Sequence, residues 1–161
     1  MTRRYAILVD GGFMEKKLSS RLKKSPSADD IVAECDRIKA HLSLAAYSLL
    51  RIYCYQAPPS SEVMFNPIDH TKVDLGASPL AVHNTSMLNA LALKQDFALR
   101  LGETAAMGWR LGDKASKDLA QNPRMLTARD FAPNIKQKGV DLRIALDMAR
   151  HSLRERLASL L

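Results

Sequence analysis

Three aspartates and a handful of lysines are the side chains of this sequence whose placement could do chemistry. Asp10 closes a run of five apolar or aromatic residues, Tyr5-Ala6-Ile7-Leu8-Val9, and is followed at once by Gly11 and Gly12. Asp141 and Asp147 lie in the stretch KQKGVDLRIALDMAR, where Lys136 and Lys138 stand just ahead of Gly139. Clustered carboxylates hold hard divalent cations such as Mg²⁺ or Mn²⁺. With lysines close by they suit hydrolysis of a phosphodiester, in which the metal activates water and neutralises developing charge. A second reading of Asp10 stands beside this one, because Asp-Gly is also a common turn pair.

The elements that would position these groups can be read from the pattern. Tyr5 to Val9 predicts a strand buried on both faces, since it is a short apolar run bounded by a turn signal. Ligands of open α/β sheets gather at the carboxyl ends of such strands. Phe13 to Leu22 reads as a short helix carrying Lys16, Lys17 and Arg21. Its basic end is either a solvated face or a guide for phosphates toward Asp10. Ser27 caps a second helix that runs to about Leu44, with Ile31, Cys35, Ile38 and Leu42 on its apolar face. Leu49 to Tyr55 predicts a second strand.

Gln56 to Val82 holds four prolines and no periodicity, and reads as a long irregular loop. His70 and His83, in or just after it, read as structural or solvated residues. A helix is expected from Ser86 to about Leu101, stopped by Gly102, then a strand from about Ala105 to Leu111. Asp113 to Arg124 reads as a lysine-rich loop with room for a short helix. Val140 opens a helix apolar on two adjacent stripes, which predicts deep burial. Asp141 falls in its first turn, and Asp147 lies about 9 Å further along the axis. The two do not easily share one ion. Asp141 is the better ligand, and Asp147 needs an internal partner such as an arginine or backbone donors.

The length of 161 residues fits one domain with a real core. A net charge of +7 favours an anionic partner, nucleic acid first, and a basic surface with no partner is the alternative that charge alone leaves open. Cys35 and Cys54 lack metal-ligand spacing, and Cys54 reads as a buried free thiol. The sequence shows no signal peptide and no apolar stretch of membrane-spanning length, so no membrane partner and a cytoplasmic, reducing setting are expected. There is no G-x-G-x-x-G, P-loop, G-x-S-x-G or H-E-x-x-H, which removes the chemistries those motifs serve.

In order, YAILVDGGF, YCYQAPP, RLGETAAMGWRL and QKGVDLRIALDMA resemble the bacterial NYN domain, of the LabA-like group of PIN-like ribonucleases. The resemblance runs from about Tyr5 to His151. Its most specific part is G-V-D followed six residues later by another Asp. It implies one NYN domain over residues 1–161, with a three-layer α/β/α sandwich around a central, mostly parallel sheet, PIN-like or Rossmann-like. It also implies metal-dependent cleavage of RNA. By matching motifs, Asp10 and Asp141 are the implied Mg²⁺ or Mn²⁺ ligands, and Asp10, Asp141 and Asp147 the implied catalytic acids. In such an enzyme Lys16, Lys17, Lys136 and Lys138 meet the RNA.

Three features depart from the family pattern. Phe13 stands where many members have Asn, and Gln56 where relatives often have Asp. The Ser/Thr-Gly-Asp-x-Asp strand expected after the last helix does not occur. The expected fold is therefore C-terminally incomplete. Its first strand would be an open edge able to join a second copy or a partner chain. The alternative function is a non-catalytic RNA-binding, regulatory or interaction module with the same fold.

Overall fold

The computed structural model describes residues 3–158, with side chains through residue 153. The chain runs through β1 (Arg4–Asp10), α1 (Gly11–Leu22), α2 (Ala28–Lys39) and β2 (Ser48–Gln56). A small hairpin follows, β3 (Val63–Phe65) and β4 (Lys72–Asp74), then α3 (Pro79–Ala92) and β5 (Phe97–Leu101). β6 (Glu103–Leu111), α4 (Asp113–Gln121), β7 (Phe131–Lys138) and α5 (Val140–Ala158) complete it.

β1, β2 and β5 form one parallel sheet in that order, with Asp10 beside Tyr55 and Gln56 beside Leu101. Parallel pairing brings the carboxyl ends of all three to one rim. Side chains alternate between faces along a strand. Ile7, Val9, Ile52, Cys54 and Phe97 bury against Leu18 of α1, Ile31 and Cys35 of α2, and Met87 and Leu91 of α3. Tyr53 and Tyr55 project from the other face, where they meet His151 and Asp147 of α5. The result is an α/β fold of three layers, with helices on both faces of a parallel sheet. Among the described residues β1 pairs with β2 alone, so its outer edge is open.

The start of α1 is built by its own sequence. Asp10 keeps an extended backbone, and its Oδ1 accepts from Phe13 N at 3.0 Å, so it is the N-cap of the helix. The two glycines form the first turn of α1 rather than a separate loop. A Cβ on Gly11 would lie 2.1 Å from Gln56 Oε1 and 2.9 Å from Tyr55 O, so only glycine lets the helix begin against the end of β2.

Several expectations are corrected. The stretch read as loop after Gln56 contains the β3–β4 hairpin and the start of α3. Ser78 caps α3 by accepting from Ala81 N at 3.2 Å, and Pro79 occupies its first turn. The helix thus begins well before Ser86 and ends at Ala92. Asp96, with φ at 66°, turns the chain, and Phe97–Leu101 becomes the third strand of the sheet. Gly102 stops no helix. A Cβ there would lie 2.5 Å from Lys138 O, so glycine serves a close backbone approach. α2 ends at Lys39, and a single 3-10 turn covers Leu42–Leu44.

β7 has no counterpart in the sequence reading, because Pro133 obscures it. It pairs antiparallel with β6 in a two-stranded ribbon, Pro133 opposite Trp109, beside a bulge where Gly108 takes φ 80°. α5 is also less buried than its two apolar stripes predict. The stripe of Val140, Ile144, Asp147 and His151 turns inward, while Leu142, Leu146 and Leu153 are about 60% exposed. A sheet of three strands is too narrow to cover both stripes.

Candidate functional site

At the carboxyl rim of the sheet, two helix starts converge. Asp10 ends β1 and caps α1, with its side chain exposed. The second start is set by Gly139, whose φ of 78° turns the chain from β7 into α5. Its carbonyl accepts from Arg143 N at 3.1 Å, and Asp141 lies exposed in the first helical turn. Asp10 and Asp141 line the same open cleft of about 660 Å³, with Phe13, Lys16, Gln137 and Gly139. The positive ends of the α1 and α5 dipoles therefore open onto one space, which suits an anion.

A second cleft of about 590 Å³ continues from the first, sharing Gly12, Lys16 and Gln137. Its other walls are Glu15, Ser19, Gln56, Asn84 and Ile135. Gln56 Nε2 donates to Glu15 Oε1 at 2.6 Å. Burial pushes the Glu15 carboxyl above the usual range, opposed by the nearby His83 and by the Gln56 hydrogen bond. Gln56 Oε1 is buried without a hydrogen-bond partner among the described residues.

Of the lysines expected at RNA, Lys16 lines both clefts. Lys17 instead lies 5.4 Å over the ring of Phe13. Lys136 and Lys138 do not line the clefts. Ile135 and Gln137 do, and strand alternation turns the two lysines to the other side of the β6–β7 ribbon, opposite Ala105 and Glu103.

Asp147 is buried below the rim and does not line either cleft. Its Oδ2 accepts from Tyr55 OH at 2.8 Å and pairs with Arg100 Nε at 3.2 Å. The arginine expected as its partner is Arg100, which reaches it from the exposed side with its own side chain 43% accessible. Burial, and then the Asp147 hydrogen bond, push the Tyr55 hydroxyl well above its ordinary value. Asp147 thus ties α5 to β2 and β5. His70 sits exposed in the β3–β4 turn, and His83 bonds through Nε2 to Pro26 O at 2.9 Å.

Among the described residues, no three His, Cys, Asp or Glu side chains converge as a metal cage. Asp10 and Asp141 are the two carboxylates of the first cleft. Mg²⁺ is commonly held by one or two carboxylates together with substrate phosphates and water. Two carboxylates do not make an all-protein cage, and an ion there would need phosphate and water as its remaining ligands.

Sequence reading passed over Glu15, Asn84 and Gln137 as site residues, and took Gln56 only as a missing acid. Gln56 had a signal, because it ends a parallel strand. Glu15 had a weaker one, three residues beyond Gly12 and so on the same helical face. Comparison with protein-family models, curated proteins and solved structures finds no match to this chain. Among the described residues, no helix is long and apolar enough to cross a membrane.

Proposed function

We propose that this chain is an NYN-type, PIN-like ribonuclease domain acting on RNA phosphodiesters at the cleft between β1 and α5. One observation carries the reading. Asp10 and Asp141, far apart in sequence, line one open cleft with Lys16 at the carboxyl rim of a parallel sheet. In this reading Asp10 and Asp141 hold Mg²⁺ or Mn²⁺, which when bound supplies charge neutralisation and an activated water. Lys16 and the first turns of α1 and α5 draw the phosphate in. Phe13, 60% exposed on the cleft wall, offers a ring on which a base can stack. Asp147 contributes by holding α5, and with it Asp141, against the sheet.

The test is cleavage of single-stranded and structured RNA with Mn²⁺, using Asp10→Asn and Asp141→Asn as controls. Loss of cleavage in both is expected. Undiminished cleavage in both rejects the site.

A non-catalytic RNA-binding module is the second reading. It is favoured by the lack, among the described residues, of three converging metal-ligating side chains. Its signature is binding that weakens steeply with salt while no divalent ion restores cleavage. A cytoplasmic setting belongs to the proposal, in keeping with the free buried thiols Cys35 and Cys54. So does a second copy or partner chain on the open β1 edge. Sedimentation as a monomer at all concentrations would remove the second copy.

A further inference from the structure

We propose that the second cleft, walled by Glu15, Gln56, Asn84 and Gln137, is a base-recognition pocket that takes guanine. This rests on the RNA reading above and names what the site would select. The pocket shares Lys16 and Gly12 with the first cleft, so a nucleotide whose phosphate lies at Lys16 places its base within reach of Glu15.

The chemistry of the walls sets the choice of base. Glu15 uses Oε1 to accept from Gln56, and a carboxylate has acceptor capacity well beyond one bond. It is half-buried, a setting that disfavours its negative charge until further donors reach it. Gln56 is 5% exposed and holds a second acceptor, Oε1, without a partner among the described residues. Oε1 packs against Gly11 with no exposed surface, so a ligand is not its partner, and Gln56 serves the pocket by holding the Glu15 carboxylate through Nε2. Gly11 fixes the Gln56 amide in place, because the space a Cβ would need is filled by Oε1.

Guanine is the nucleobase whose pairing edge presents two adjacent N–H donors, N1–H and the 2-amino group, at the spacing of a carboxylate. Adenine and cytosine present one amino group beside an acceptor, and uracil one imide N–H between two carbonyls. On the other edge, guanine O6 and N7 accept from amide N–H groups of the kind Asn84 and Gln137 carry. Ile135, 40% exposed, gives the flat base an apolar wall.

The test uses the full chain and the four nucleoside 5′-monophosphates, followed by NMR of the side-chain amides of Gln56, Asn84 and Gln137. GMP is expected to bind roughly tenfold more tightly than AMP, CMP or UMP, the discrimination a good bidentate pair gives. Glu15→Gln should bring all four to the same weak affinity. Inosine monophosphate, which lacks the 2-amino group, should lose most of the GMP advantage with the protein unaltered. Equal binding of the four nucleotides, no binding of any, or a GMP preference that survives Glu15→Gln overturns the proposal. The two readings fail separately. GMP preference without RNA cleavage leaves the pocket standing and removes the nuclease. Cleavage lost in Asp10→Asn with no base preference does the reverse.

Discussion

The Tyr55 hydroxyl donates to Asp147 Oδ2 at 2.8 Å, joining two residues 92 positions apart inside the fold. Arg100 completes the set at 3.2 Å and lies 5.2 Å over the ring of Tyr53. This triad fixes α5 on the sheet, and so decides where Asp141 stands. Tyr55→Phe leaves a buried carboxylate one donor short and should cost about 1–3 kcal/mol in urea unfolding. The folded-state Tyr55 hydroxyl is raised above its unfolded value. Its contribution is therefore fully present below about pH 10 and lost as pH rises beyond. The phenylalanine variant should lack that alkaline loss. If Asp147→Asn abolished RNA cleavage at unchanged stability, Asp147 would have to be reassigned to the chemistry.

Asp10 has two roles that one pair of substitutions separates. As N-cap it accepts from Phe13 N at 3.0 Å, and asparagine caps nearly as well as aspartate. Asp10→Asn should leave stability within about 0.5 kcal/mol while removing the cleft charge. Asp10→Ala should lose the charge and about 1 kcal/mol besides. Cleavage assays beside thermal melts of the two variants distinguish the roles. A large stability loss in Asp10→Asn would mean that the carboxylate charge holds the helix start.

Gly11 and Gly12 are neighbours with opposite expectations. In a helix, alanine is ordinarily about 1 kcal/mol better than glycine. A Cβ on Gly12 meets only Asp10 Oδ1 at 3.6 Å, an ordinary contact, so Gly12→Ala should stabilise. A Cβ on Gly11 meets Gln56 Oε1 at 2.1 Å and the Tyr55 carbonyl at 2.9 Å, so Gly11→Ala should destabilise. The net loss should be about 1–3 kcal/mol, and Gln56 should be displaced from Glu15. Urea midpoints of the pair give the sign directly. A stabilised Gly11→Ala would mean that α1 does not start against β2.

The part of the site legible in sequence was the part carried by local pattern. The apolar run into Asp10 reads as a strand, and β1 does end at the carboxyl rim of the parallel sheet, with Ile7 and Val9 on its buried face. Gly139-Val140-Asp141 announced a helix entry. What escaped depended on pairing between distant segments. Phe97 and Leu101 fell on a helical period by coincidence, and only hydrogen bonding beside β2 made them a strand. Pro133 concealed β7, and without β7 nothing showed that Gln137 faces the cleft while Lys136 and Lys138 face away. Glu15 became a site residue only when the end of β2 brought Gln56 against it.

The lysines follow from the same geometry. Each phosphate contact removed should lower the slope of log affinity against log salt by about 0.7 for single-stranded RNA. Lys16→Ala should show that reduction, since Lys16 lines both clefts. Lys136→Ala and Lys138→Ala, on the outer side of the ribbon, should change the slope far less. Filter binding across a salt series measures it. A larger change at Lys136 or Lys138 would place the RNA track on the ribbon.

Two capping carboxylates should make the fold sensitive to acid. The Asp130 carboxylate accepts from Arg124 Nη1 and Nη2, both at 2.7 Å, and from Thr127 N at 2.7 Å. Arg124, then the Thr127 backbone, hold it well below the usual range. Asp30 is lowered to about 2, chiefly by the Ser27 backbone N–H it accepts from in the capping box of α2. Both folded values lie below the unfolded one, so the stability they contribute is present above about pH 4. It is lost as pH falls through the folded values. Unfolding midpoints should decline steeply between about pH 4 and pH 2. Asp130→Asn and Asp30→Asn should each start less stable at neutral pH and decline less. A wild-type midpoint that stays flat down to pH 2 would mean that neither carboxylate is held as the geometry requires.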